Sequence, residues 1–227
     1  MLYELRHYYT VSTSDLGAVV RFGGERLIPG WQAAGITVTG CFTTVLGPSP
    51  RFTTMLAFED ANDRQTKLDA FYASREWQTI EPAFFPNGRA LISGYDSALL
   101  RPTPYSPDVT TFLNGVSSGV FEERIYHGTS QRNHAKINRR FANHTMRIFA
   151  QYGLIPVGFW DVEVGMGQPA LYYLVRYDSL DGRDALWGSF RDDAEWQRVV
   201  AESEKDGPIV RTIEANILAP TAYSPLH

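Results

Sequence analysis

Cysteine is nearly absent. Cys41 is the only one in 227 residues, so no disulfide can form within the chain and stability must come from a packed core. No apolar run approaches the ~18 residues a membrane-spanning helix needs, and no charged and apolar leader pair precedes Tyr3. The expectation is a cytoplasmic chain with no signal peptide and no membrane partner. No basic block stands out and the formal net charge is -4 at pH 7, which argues against a nucleic-acid partner. Cys-x-x-Cys, His-x-x-x-His and His-Glu-x-x-His are all missing, so no metal is expected. No Gly-x-Gly-x-x-Gly or P-loop occurs, and Gly165-Met166-Gly167 has no helix after it to present an anion site. Ser12, Ser14 and Ser130 are not in any nucleophile elbow. The sequence therefore predicts no cofactor.

What is present is a long repeat. Tyr3-Glu4-Leu5-Arg6-His7-Tyr8 returns about 118 residues later as Phe121-Glu122-Glu123-Arg124-Ile125-Tyr126. Pro102-Thr103-Pro104-Tyr105-Ser106-Pro107 returns as Pro220-Thr221-Ala222-Tyr223-Ser224-Pro225. A period this long is a duplicated domain and not a solenoid. The domains expected are 1–107 and 120–225, with a Gly/Ser-containing linker over 108–119.

Each half reads β-α-β-β-α-β. Residues 2–9 alternate as a strand. Ser12 with Asp15 resembles a capping box for the first helix, and Gly35 is a stop. Ile36–Leu46 and Arg51–Glu59 flank the turn Gly47-Pro48-Ser49-Pro50. Asn62 with Gln65 starts a second helix, and Arg89–Leu99 is the last strand. The second half repeats the order, with Asp181 expected to cap its last helical stretch. This is the ferredoxin-like split βαβ pattern, whose sheet has one uncovered face. The fold class expected is α+β: two tandem ferredoxin-like domains pairing their sheets as an α/β barrel. Gly23-Gly24 lies mid-helix where the second half has Phe141-Ala142. Such a pair weakens a helix by roughly 1 kcal/mol per glycine relative to alanine. Either something approaches the helix closely there, or it opens to admit a ligand.

These residues resemble the NIPSNAP family of the dimeric α/β-barrel superfamily. The family's opening Tyr-Glu-Leu-Arg-x-Tyr is Tyr3 to Tyr8 here. Its Gly-Phe-Trp is Gly158-Phe159-Trp160, and its Arg…Asp-x-Glu-Trp segment is Arg183 with Asp193-Ala194-Glu195-Trp196. The first half keeps Arg64, Glu76 and Trp77 but has Ser74 for the aspartate, and Arg26 where the second keeps the family's histidine as His144. The resemblance implies a paired-sheet barrel. Barrel relatives include monooxygenases, isomerases, dehydratases and plain binding modules.

On each first strand one face carries Glu, Arg and Tyr: Glu4, Arg6 and Tyr8, then Glu122, Arg124 and Tyr126. The opposite face is the more apolar, apart from Glu123, and is expected against the helices. The Glu-Arg-Tyr face is therefore expected inside the barrel, where charges must pair or meet a wet pocket. There the substrate-binding residues would be Arg6, Arg124, Glu4, Glu122, Trp160, His7 and His127, with arginine clamping a ligand oxygen. The catalytic residues would be His144, Tyr126 and Tyr8, because a near-neutral imidazole suits proton abstraction. The function expected is a cofactor-independent oxygenase, isomerase or lyase acting on an aromatic, polyketide-like or other small organic molecule by acid/base chemistry. The alternatives are a non-enzymatic scaffold and a haem-binding barrel. A cavity of several hundred Å³ would favour ligand binding, and closed Glu–Arg pairs would favour the scaffold. Outer edges or helices leave room for a homodimer.

Overall fold

Alternating strands with β-branched and aromatic residues build a closed antiparallel barrel of eight strands with helices outside it. The computed structural model describes residues 1–113, 119–165 and 167–227. The first half runs β1 (Leu2–Thr10), α1 (Thr13–Phe22), a π-helical turn (Gly23–Leu27), α2 (Ile28–Ala33), β2 (Thr37–Leu46), β3 (Arg51–Phe58), α3 (Ala61–Tyr72), α4 (Arg75–Ile80) and β4 (Ile92–Pro102). The second runs β5 (Val120–Gly128), α5 (Gln131–Arg140), a π-helical turn (Phe141–Thr145), α6 (Met146–Gln151), β6 (Ile155–Val164), β7 (Ala170–Tyr177), α7 (Leu180–Asp192), α8 (Ala194–Ser203) and β8 (Val210–Pro220).

Around the barrel the order is β1-β3-β2-β8-β5-β7-β6-β4, and β4 pairs with β1 to close it. The halves join edge to edge, through β2 with β8 and β4 with β6. Closure removes the free strand edges that an open sheet would expose. Three apolar clusters result. One fills the barrel, with Tyr3, Leu5, Phe42, Phe121, Trp160 and Tyr172. The others lie between each half-sheet and its helices, around Trp31 and Phe71, and around Phe141 and Trp187.

The helices start where a short polar side chain can take up free N–H groups. Ser12 accepts from the Asp15 N–H as expected. Asp60, not Asn62, caps α3, and Ser179, not Asp181, caps α7. Both caps stand on the extended backbone that ends the preceding strand, where a cap must be. Ser74 caps α4 through the Trp77 N–H, as Asp193 caps α8 through the Trp196 N–H. The serine that departs from the family pattern thus does the same local work.

The closing signatures cross over. Thr103 N–H donates to Phe159 O and Phe159 N–H to Ser106 Oγ, tying the end of the first half onto β6. Thr221 N–H donates to Cys41 O and Cys41 N–H to Ser224 Oγ, tying the chain's end onto β2. Tyr105 reaches Asn138 on α5, and Tyr223 donates to Val20 O on α1. Within the stretch read as a linker, Val109–Phe112 forms a 3₁₀ turn whose Val109 is buried in the barrel cluster, and Leu113 bridges to Leu226. Residues 114–118 of that stretch, and Met166 of the glycine turn, lie outside the described residues.

Of the two alternatives at Gly23-Gly24, the opening is absent and the close approach is present. The helix widens to a π turn in both halves, so the glycines are not its cause. What they permit is close approach. A Cβ on Gly24 would overlap the Tyr223 ring, and one on Gly23 would lie 2.9 Å from Tyr223 Oη. Gly158 likewise leaves room for the Trp160 ring to fold back over the strand. Gly24→Ala should therefore lower thermal stability by about 1–2 kcal/mol, overpacking outweighing the gain in helix propensity. In a Tyr223→Ala background the same change should be neutral or stabilising. Thermal melts of the four proteins check this. An additive pair would mean the ring does not set the requirement.

Candidate functional site

The Glu-Arg-Tyr faces look outward, at the helices. This corrects the expectation that they line the barrel. Glu4 accepts from Arg6 (2.8 and 3.0 Å), from Arg64 on α3 (2.8 and 2.9 Å) and from Ser97 on β4 (2.6 Å). Burial alone would raise the Glu4 carboxyl, but Arg64 and Arg6 hold it at about 2. Glu122 accepts from Arg124, twice from Arg183 on α7, and from Tyr177 and the Trp187 indole. Burial opposes ionisation there too, but Arg183 and Arg124 hold this carboxyl low. The face is decided by the arginines one helix away. Both sides of this sheet are covered, one by helices and one by the far barrel wall, so relative apolarity does not tell them apart.

Between β1, β4 and the first half's helices lies a cavity of about 320 Å³. Tyr8, Trp31, Phe52, Tyr72, Phe84 and Tyr95 are among its walls, and Glu81 is the one carboxylate residue lining it. Its polar end is organised by Arg6. The guanidinium donates from Nη1 to Tyr72 Oη at 2.9 Å and to Tyr8 Oη at 3.4 Å, and lies 5.6 Å from the centre of the Trp31 ring. An oxygen that accepts from arginine keeps its own hydrogen free to donate. Burial pushes the Tyr8 hydroxyl well above its usual range, outweighing the pull of Arg6, so it stays a donor.

In the second half the inner part of this space is filled. Phe141 packs on Tyr126 (5.6 Å between centroids) and Tyr173 (5.3 Å), where the first half has Gly23, Tyr8 and Thr54. Trp187, at the position of Leu68, covers Arg124 at 4.4 Å. Arg140 lies 5.4 Å over Trp196 and bonds Ser203 and Glu204. What remains is a surface depression lined by Tyr126, Trp196 and the start of β8.

The structure thus brings Arg6 and Tyr8 together at a cavity, and Glu4 stands behind them. Glu122 and Arg124 lie under the filled inner part of the counterpart, while Tyr126 borders a more open depression of about 530 Å³. Trp160 lies in the barrel cluster against Tyr3 and Tyr172. His7 is inside the barrel and His127 near its open end. His144 lies on the outer helix surface, 4.0 Å from Glu195, where it lines a separate depression with Arg140 and Arg198 and not the sheet–helix cavity. The sequence reading missed Trp31, Tyr72, Glu81 and Tyr95, which come from four different elements. It also missed Arg51, Asp96, Glu214 and Asn216. Glu123, the residue that broke the apolar face, was the available signal for these.

A family model described as NIPSNAP matches residues 3–107 and again 121–225. The chain belongs to the NIPSNAP family. No functionally curated protein matches it. Among solved structures, an anthrone oxidase-like protein is similar at 10% identity, with a TM-score of 0.63, over 100% of this chain and 94% of that one. A Lactobacillus acidophilus protein provisionally assigned as a monooxygenase is 11% identical, with a TM-score of 0.62, over 96% of this chain and 93% of that one. A NIPSNAP domain protein of Burkholderia xenovorans is 20% identical over 48% of this chain and 100% of its own, with a TM-score of 0.43. The first two likenesses are of fold alone. Among the described residues no helix is long and apolar enough to cross a membrane, and no three His, Cys, Asp or Glu side chains group as a metal ion requires.

Proposed function

We propose that this NIPSNAP member is a tandem of two ferredoxin-like domains, 1–107 and 120–225, in which the first half binds a flat aromatic or polyketide-like molecule. We read it as a cofactor-independent enzyme working by acid/base chemistry. The observation that carries this is the cavity beside Tyr8 and Tyr72, with Arg6 behind both hydroxyls. Its volume falls at the small end of the roughly 300–1,000 Å³ range of ligand sites, and its walls are aromatic, as such sites require.

The chemistry follows from what the walls offer. A ketone or phenol oxygen would accept from Tyr8 and Tyr72. Loss of a proton from the adjacent carbon or hydroxyl leaves an enolate or phenolate on that oxygen, where Arg6 polarises both donors. The Glu81 carboxylate would receive the proton. His144 and Tyr126, expected as catalytic from the sequence, have no part in this reading. The name of the anthrone oxidase-like protein supplies a class of test compound, a tricyclic aromatic ketone. The second reading is a non-enzymatic scaffold, favoured by closure of both Glu–Arg pairs.

Calorimetry with anthrone and 1-naphthol tests the proposal. Both should bind, and Tyr8→Phe should weaken binding about tenfold, the loss of one hydrogen bond to the ligand oxygen. Ile92→Trp, at the cavity rim, should abolish binding without unfolding the protein. Absence of binding by either compound, or binding that survives Ile92→Trp, would leave the scaffold reading standing.

A further inference from the structure

The barrel has its own polar centre. Arg51 donates from Nε to Thr44 Oγ1 (2.9 Å), from Nη1 to His7 Nδ1 (3.1 Å) and from Nη2 to Glu123. Asn216 donates to Glu123 at 3.0 Å. A guanidinium only donates, so His7 Nδ1 accepts and the ring hydrogen sits on Nε2. That nitrogen lies 3.4 Å from Glu123 Oε2 but makes no hydrogen bond, although His7 is only 6% exposed.

The fold does not require this network. At the matching positions of the other half, His7, Arg51, Glu123, Asn216 and Thr44 are replaced by Ile125, Ala170, Leu5, Ala98 and Val162. One side of the barrel therefore closes with apolar residues where the other buries charge, and buried charge without a use is unfavourable. Beside the network is a cavity of about 320 Å³ lined by His7, Arg51 and Asn216, with Asp96 and Glu214 also on its wall. It lies at the barrel end that carries Pro48 and Gly165, and it does not share a lining residue with the sheet–helix cavity.

The charges around it are unequal. Glu123 is matched by Arg51. Glu214 accepts from His127 Nε2 at 2.7 Å, while His127 Nδ1 faces Gly167 O at 3.0 Å, an arrangement complete when both nitrogens carry hydrogen. Asp96 takes only the Tyr9 hydroxyl at 2.9 Å and has no ion-pair partner among the described residues. The wall thus has a surplus negative charge and free carboxylate lone pairs, with arginine and an unpartnered imidazole N–H further in. An anionic ligand group placed there would meet Glu123 as a like charge. A neutral oxygen would not.

We propose that this end of the barrel is a second small-molecule site, for an organic ammonium carrying a neutral oxygen a few atoms away. The ammonium sits between Asp96 and Glu214, and the oxygen accepts from Arg51 or His7. Amino amides and amino alcohols are the class.

The test is calorimetry on the full chain with glycinamide and ethanolamine, against glycine and acetamide. The two ammonium compounds should bind, and glycine and acetamide at least about tenfold more weakly. Asp96→Asn with Glu214→Gln changes two exposed groups. It should weaken glycinamide by about tenfold or more while circular dichroism shows the fold intact. Ile92→Trp should leave glycinamide binding unchanged, so failure here is separable from failure of the aromatic-ligand reading. Equal binding of acetamide or glycine, indifference to the double substitution, sensitivity to Ile92→Trp, or no binding by either ammonium overturns the site.

Discussion

Replacing Glu122 with alanine should lower the melting temperature by about 10 °C or more. This carboxylate is fully buried and takes hydrogen bonds from Arg124, Arg183, Tyr177 and Trp187. Its removal leaves Arg124, only partly exposed beneath Trp187, without its carboxylate partner, since Arg183 is another cation. Breaking a buried pair from one side destabilises by about 3–5 kcal/mol. In a protein of this size each kcal/mol moves the midpoint by about 2–4 °C. Trp187→Phe, which removes one neutral donor and keeps an aromatic ring over Arg124, should have a much smaller effect. Differential scanning calorimetry reads both. A Glu122→Ala midpoint within about 3 °C of the parent would mean water replaces the carboxylate.

The second large effect lies inside the barrel, and there the sign reverses with a second substitution. Glu123→Leu alone should destabilise by about 3–5 kcal/mol, because Arg51 is left 2% exposed and unpaired. Adding Arg51→Ala installs the pair that already stands at the matching positions, Leu5 and Ala170. The double variant should regain most of the loss, a coupling of about 2 kcal/mol or more. Its acid stability should change as well. Burial would raise the Glu123 carboxyl, but His7 and Arg51 bring it down to about 2, from 4.5. A carboxyl lowered on folding stabilises above its unfolded pKa, and that contribution is lost as pH falls through the folded one. The wild type should thus lose stability between about pH 4.5 and 2 by a component that the double variant lacks. Urea titrations at several pH values check this. A double variant no better than Glu123→Leu would show that the network holds the barrel together.

Strand positions and the pairing of Glu with Arg were legible in the sequence, since alternation is a local signal. The direction of those pairs was not. It depends on Arg64 and Arg183, about 60 residues away, and both faces of the sheet are covered. Helix starts erred by two residues at Asp60 and Ser179, because a cap belongs to the strand that precedes it. The cavity was half legible. Gly23 against Phe141 signalled a difference in volume, but Tyr223 takes the space beside the glycine. The open volume lies further along, among Val19, Leu27 and Trp31.

The edge-to-edge joining of two similar halves within one chain has a consequence for symmetry. A barrel made from two identical subunits would show every substitution twice. A glutamate at the position of Glu123 would also appear at that of Leu5, and arginines would stand at the positions of both Arg51 and Ala170. A single Glu–Arg–His centre with an apolar mirror image could not exist in such a pair. Covalent continuity through β4 and β5, with each half's end tied onto the other, lets one wall change while its twin stays unchanged. It also makes the pairing independent of protein concentration. Dilution cannot separate the halves, so neither must be self-complementary, and each is free to specialise.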